Sequence, residues 1–240
     1  MSKPFAWSYS SLSAFETCPR RFYETRVAKS IKEPEGAPLV LGNAAHKALE
    51  LRVKDGTPIP KIITATGSDG SSASQTSAGW EPLVDRILSR VTDDTEVLTE
   101  RQICLDDRFC ETNWFGKDAW VRGVIDLGLL RSTKALLLDW KTGKRKVDLD
   151  QLKLFAALAM HLWPKLEKVH TGFVWLKTGE IDQQSYSRAD IPTIWEGFLP
   201  RVKRMRQAYG ADTWPERPSG LCKAWCPVHT CVHNGKFNAS

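Results

Sequence analysis

The sequence predicts an α/β (α+β) fold in which helices flank a sheet, and three features of its patterning carry that expectation. Apolar residues recur at helical spacing near residues 42–53 and 148–162. Residues 119–130 and 135–141, by contrast, are apolar runs of strand length. The order of elements is helices, a strand-rich stretch, then a helix with two more strands, which suits stacked layers rather than a bundle. At 240 residues the chain can bury one sizeable core, and it reads as a single domain with elaborations.

The first element is a helix near residues 8–19, capped by Ser10 or Ser13, with Ser13 and Glu16 at capping-box spacing and Leu12 and Phe15 facing the core. It opens an N-terminal helical part, residues 8–60. The second helix there sets Ala45, Leu49 and Val53 on one stripe, with His46 and Glu50 on a neighbouring face. Residues 67–79 are rich in Ser, Gly and Thr, hold too little apolar surface to offset ordering entropy, and read as a flexible loop.

A helix over 81–91 precedes strands at 96–105, 109–114, 119–130 and 135–141, an antiparallel meander within a core spanning 96–190. Asp148 caps the next helix, whose buried stripe is Leu152, Phe155, Ala159 and Leu162. Strands at 169–176 and 183–186 follow, joined at Thr178-Gly179. A helix near 191–209 begins a C-terminal segment, 191–240, that ends in a cysteine-rich tail.

Lys and Arg number 34 against 28 Asp and Glu, so the formal charge of +6 suits a polyanionic partner. The first residues lack a signal peptide's apolar core, and the apolar stretch 154–163 is too short to span a bilayer. The expectation is no membrane and a cytoplasmic location, or the host cytoplasm for a viral protein. Lys141-Thr142-Gly143-Lys144 lacks the upstream glycine of a phosphate-binding loop, so no ATPase is expected.

The chemistry concentrates where apolar strands carry isolated charges. Side chains two apart on a strand share a face, so Asp139 and Lys141 project together while Trp140 points away. Asp126 interrupts the preceding apolar run, and Arg131-Ser132-Thr133-Lys134 makes a hairpin connection that brings it alongside. Acids buried in apolar strands need a partner, a cation or solvent. A magnesium or manganese ion fits, since hard divalent ions take carboxylate oxygens and can activate water against a phosphoryl group. Lys141 would orient that water and stabilise developing negative charge.

In Gly123-Val124-Ile125-Asp126 and Leu138-Asp139-Trp140-Lys141-Thr142-Gly143, with Gln151 on the following helix, the sequence resembles the PD-(D/E)XK nuclease superfamily. Within it the likeness is to RecB-like exonucleases and CRISPR-adaptation nucleases that carry an iron-sulfur cluster. The resemblance implies a restriction-endonuclease-like core with a mixed central sheet. It implies catalytic roles for Asp126, Asp139, Lys141 and Gln151, and metal ligation by Asp126, Asp139 and His46, the last on a helix that looks like the family's histidine-bearing one. Glu100 resembles an additional family acid, with Arg101 as an ordinary ion-pair partner in the alternative. Phe155 stands where such families often place a tyrosine.

The six cysteines form a second resemblance. Cys18 near the start and Cys222, Cys226 and Cys231 near the end match the one-plus-three pattern of cluster-bearing members, which implies a 4Fe-4S cluster joining the N- and C-terminal segments. Structural zinc is the alternative, with His229 and His233 as further donors. The short Cys226 to His229 spacing argues against a standard zinc finger, and these histidines read as surface residues. Cys104 and Cys110 read as core or hairpin residues. Arg20, Arg21, Lys144, Arg145 and the basic group Arg201 to Arg206 are candidate phosphate contacts.

Together these features imply a metal-dependent DNA exonuclease of replication, repair, recombination or viral DNA processing. Its substrate would be single-stranded DNA or DNA with free ends, and a recombination or replication protein would be its partner. The alternatives are a CRISPR-adaptation nuclease that trims DNA before integration and a non-catalytic DNA-binding scaffold.

Overall fold

The apolar runs on either side of the Ser132 turn form the two central strands of a mixed sheet. This is seen in a computed structural model that describes residues 5–237. The chain forms two units, residues 34–195 and residues 1–33 with 196–240.

In the unit of residues 34–195, α3 (Ala37–Asp55) precedes a hairpin of β2 (Ile62–Thr66) and β3 (Ser72–Thr76), followed by α4 (Trp80–Leu88). Then come β4 (Glu96–Leu105), β5 (Val121–Arg131), β6 (Lys134–Lys141), α5 (Leu149–Leu162), β7 (Lys168–Trp175) and β8 (Glu180–Ser187). The strands lie in the order β4-β5-β6-β7-β8. β4, β5 and β6 are antiparallel neighbours as expected, β6 and β7 are parallel, and β8 returns antiparallel. A parallel pair needs a long crossover, and α5 supplies it.

Strand alternation assigns the two faces. Leu127, Leu129, Leu138 and Trp140 pack with Leu41, Ala45 and Leu49 of α3 and with Trp80, Leu83 and Ile87 of α4. Burying each leucine or isoleucine among them contributes roughly 1.5–3 kcal/mol. Trp80 also satisfies its indole N–H on Leu176 O at 2.9 Å. In a second cluster Leu152 of α5 meets Phe173 and Trp175. A Cβ at Gly123 would lie 2.9 Å from Leu158 Cδ1, so the missing side chain lets α5 sit close to β5.

Two local expectations fail for identifiable reasons. Residues 72–76, expected within a flexible loop, form β3 paired in register with β2. Asp69-Gly70 is the hairpin signal: Gly70 takes φ +79°, and Asp69 Oδ1 accepts the Ser71 N–H at 2.9 Å. Residues 109–114, expected as a strand, keep a single bridge from Leu105 to Glu111. Buried Asp106 accepts the backbone N–H groups of Arg108 and Cys110 at 2.9 and 2.8 Å, drawing the chain into turns.

In the other unit, β1 (Trp7–Ser8) leads into α1 (Tyr9–Thr17), whose cap is Ser8 in a capping box with Ser11, not Ser10 or Ser13. After α2 (Pro19–Phe22) and one π-helical turn, Tyr23–Val27, the unit resumes at Glu196 within α6 (Ile191–Ala211) and adds α7 (Leu221–Ala224). Early and late segments are bound together here. Tyr23 stacks on Trp214 at 5.1 Å, and Arg201 grips Glu16 with two hydrogen bonds of 2.8 and 2.7 Å. No helix of the described residues is long and apolar enough to cross a membrane.

Candidate active site

The two strand acids meet where β5 and β6 part. The ladder runs to Leu127 and Leu138, and beyond it Asp126 Oδ2 accepts the backbone N–H of Trp140 at 2.8 Å. A side chain thus takes over from the ladder and fixes a carboxylate that is only 7% exposed. Asp139 is 6% exposed. Its Oδ1 accepts from Gln151 Nε2 at 2.9 Å. Its Oδ2 lies 2.6 Å from Lys141 Nζ, a close ion contact outside good hydrogen-bond geometry, so this oxygen keeps unused acceptor capacity.

Lys141 and Asp139 share a face as strand parity predicts, while Trp140 enters the opposite core. The Lys141 ammonium also stands 4.9 Å from the Phe173 ring centre and 3.4 Å from Gln151 Oε1. Burial, together with the charge of Asp126, pushes the Asp139 carboxyl up to about 7, although Lys141 works against that rise.

His46 comes from α3, with its Nε2 3.0 Å from Trp140 O. A carbonyl only accepts, so that nitrogen carries a proton and Nδ1 is turned to the acids. Nδ1 lies 3.3 Å from Asp126 Oδ2 and 3.7 Å from Glu100 Oε1. Burial disfavours the charged ring, but the carboxylates of Asp126 and Glu100 outweigh it and raise the imidazole to about 10.

Glu100 reaches this position through an unusual backbone. β4 pairs Thr99 with Leu127 and Arg101 with Ile125 but passes over Glu100, whose φ is +47°. A left-handed conformation costs a residue with a side chain about 1–2 kcal/mol, and such strain concentrates at functional sites. Arg101 instead pairs with Glu111 at 3.1 Å.

Ligand atoms of His46, Glu100 and Asp126 all lie within 4.8 Å of one another, the group among the described residues with the spacing to hold a metal ion. Two carboxylates and an imidazole suit a divalent ion of the manganese or magnesium kind. Asp139 lies outside this trio, although its charge reaches His46. The backbone of Trp140 and the ring of Phe173 were not foreseen. The first carries no sequence signal, and the second follows only from the register that pairs Phe173 with Asp139.

Several of the basic residues singled out for phosphate contact are held by acids, Arg201 and Arg204 by Glu16. Arg20 pairs with Glu24 and Glu216, Arg21 with Glu33, and Arg145 with Asp182 and Glu180. Lys144 is exposed. Cys18, Cys222, Cys226 and Cys231 line one small pocket of the unit formed by residues 1–33 and 196–240. All four are free thiols. Exposed His233 reaches the rim of that pocket, whereas exposed His229 stays outside it. Cys104 is buried and Cys110 exposed.

The sequence model of the PD-(D/E)XK nuclease superfamily matches residues 6–231. The chain belongs to that superfamily. As in other PD-(D/E)XK nucleases, its mixed sheet flanked by helices is a restriction-endonuclease-like core. Among solved structures it is similar to a candidate exonuclease from Eubacterium rectale, with TM-score 0.50 and 12% identity over 93% of this chain and 87% of that one. It is also similar to the protein SSO0001, with TM-score 0.40 and 14% identity over 99% of this chain and 90% of that one. No curated protein matches this PD-(D/E)XK chain.

Proposed function

We propose that the protein is a divalent-metal-dependent deoxyribonuclease that degrades DNA from its ends. The observation that carries this reading is the convergence of Asp126, Asp139, Lys141 and Gln151 beside the His46, Glu100 and Asp126 trio. A scaffold that merely binds DNA has no need of two buried acids and a lysine at these distances. The choice of an exonuclease is supported by the Eubacterium rectale neighbour, which is described as one.

His46, Glu100 and Asp126 would hold a Mg²⁺ or Mn²⁺ ion, with Asp139 completing its surroundings through its free acceptor capacity. Such an ion supplies an acidified water and screens the charge on phosphorus. The chain's own residues do the rest. Lys141 orients the attacking water and stabilises the negative charge that grows as its oxygen joins phosphorus and the bond to the departing sugar oxygen breaks. Gln151 links Asp139 and Lys141, donating to the carboxylate and accepting from the ammonium.

The four cysteines would hold a 4Fe-4S cluster with a structural role. The one small pocket that all four thiols line supports a shared site, and the one-plus-three spacing along the chain favours the cluster over zinc.

End-labelled single- and double-stranded DNA, incubated with anaerobically purified protein and either metal, tests the reading. The parent should shorten DNA progressively, and Asp126→Asn and Lys141→Ala should each lower the rate by at least about 10²-fold. Equal cleavage by these variants, or none by the parent, would remove the enzyme reading. Zinc without acid-labile sulfide in the purified protein would replace the cluster.

A further inference from the structure

Residues 142–148 join Lys141 at the end of β6 to α5, and so to Gln151. In the middle of this segment Arg145 grips Asp182 with two prongs. Its Nε donates to Asp182 Oδ2 at 2.9 Å and its Nη2 donates to Oδ1. Asp182 Oδ2 also accepts the indole N–H of buried Trp175 at 2.7 Å, and Glu180 lies 3.5 Å from Arg145 Nη1.

The sheet register explains why this contact bears on the active site. Asp139 pairs with Phe173, which pairs with Asp182; Lys141 pairs with Trp175, which pairs with Glu180. Directly paired residues on neighbouring strands point to the same face. Phe173 and Trp175 therefore floor the space between the acid–lysine pair and the two acids that take Arg145. Leu152 of α5 packs on that floor, and Lys141 rests over Phe173. The segment starts directly after Lys141 and leads into α5, which carries Gln151, while its middle is fastened to Asp182 of β8.

We propose that Arg145 and Asp182 form a latch that positions Lys141 and Gln151 around Asp139. Both act as positioning residues, and the latch rests on the nuclease reading of the site. The rival role for Arg145 is a contact to a DNA phosphate. The fork-to-carboxylate geometry engages the guanidinium on Asp182, and Asp182 is itself oriented by the Trp175 indole, which a solvated phosphate ligand would not require.

Steady-state kinetics on end-labelled DNA with Arg145→Ala, Asp182→Asn and the double variant separate the two roles. Melting curves serve as a control for folding. The latch requires each single variant to lose about tenfold in kcat with KM unchanged, and the double variant to lose no more than either single one. A phosphate contact would instead raise KM in Arg145→Ala, flatten its salt dependence, and leave Asp182→Asn as active as the parent; that result overturns the latch. The side-chain amide resonance of Gln151 gives a reading independent of cleavage. It should shift in both single variants, and an unmoved signal sinks the latch even if the parent proves inactive on DNA. A shifted signal in a protein that cuts nothing would leave the latch standing and fail the nuclease reading alone.

Discussion

The acid–lysine site of residues 34–195 and the cysteine pocket of residues 1–33 and 196–240 hold reactive side chains by opposite means. In the first, the sheet backbone places each group: Asp126 on the Trp140 N–H, His46 on the Trp140 carbonyl, and Glu100 opposite Asp126 through a strained φ. Its geometry is built by the ladder before any ion arrives. In the second, Cys18 stands at the end of α1, while the other three thiols come from a tail whose one regular element among the described residues is the four-residue α7. Local turns support it, among them the Ser219 N–H on Cys222 Sγ at 3.3 Å and Asn234 Nδ2 on Cys226 O at 2.9 Å. The first site should therefore cost the fold stability, and the second should draw stability from what it binds.

The largest test of this contrast is Cys18→Ser against Asp126→Asn. On the proposed cluster reading, removing one of four thiolates should release iron and sulfide and lower stability by several kcal/mol, because binding at such a site is coupled to folding. For a chain of 240 residues that corresponds to roughly 10 °C in melting temperature. Asp126→Asn removes a buried charge from a preformed site, so in metal-free protein it should leave the melting temperature unchanged or raise it. Calorimetry of both variants decides; equal losses would mean the two sites are not built differently.

The sequence exposes the first site far better than the second unit's architecture. Strand parity alone puts Asp139 and Lys141 on one face, and the Ser132 hairpin brings Asp126 beside them, because period-two alternation is a local property of the chain. Glu100 is harder to read. Its neighbour Arg101 supplies an easy surface partner on paper, whereas the fold sends Arg101 to Glu111 and turns Glu100 toward His46 through a φ that no residue preference announces. His46 is legible only by family resemblance, since nothing local distinguishes a helix histidine that faces two acids from one that faces water. Composition misleads at residues 72–76, where polar side chains on exposed positions still leave the backbone free to pair. The cysteine pattern predicts a shared site through the family resemblance, and the four thiols line one pocket. What it leaves hidden is that the early and late segments form a unit of their own around Trp214 and the Arg201–Glu16 pair.

A middle-sized effect should appear with pH in metal-free protein. Burial and Asp126 raise the Asp139 carboxyl to about 7, against about 3.9 for an unfolded aspartate. Between those values the native state keeps a proton that the unfolded chain has released, so stability falls as pH rises. This contribution is complete below about pH 4 and is lost as pH passes through about 7, a few kcal/mol across the window. His46, raised to about 10, extends the same sign of slope above its ordinary value near 6.5. Urea midpoints from pH 4 to 8, taken as the difference between the parent and Asp139→Asn, isolate the effect because titrations common to both cancel. Saturating Mn²⁺ should flatten the slope. A parent and variant that run parallel across the whole range would show that Asp139 is not held protonated and that the site is less strained than the cysteine comparison requires.

The smallest effect sharpens the comparison most, because it separates backbone strain from charge at one residue. Glu100→Ala and Glu100→Gly both remove a carboxylate from the His46, Glu100 and Asp126 trio, so both should weaken Mn²⁺ binding to a similar extent in a calorimetric titration. They differ in what they do to φ +47°. Alanine keeps a Cβ and with it the left-handed penalty of about 1–2 kcal/mol, while glycine adopts the same conformation freely. Glycine also loosens the unfolded chain, which takes back roughly 0.4–1 kcal/mol. The glycine variant should therefore be more stable than the alanine variant by about 0.5–1 kcal/mol despite identical metal affinity. A more stable alanine variant would mean that the β4 backbone is relaxed at Glu100, and the sheet would then hold its acids as easily as the tail holds its thiols.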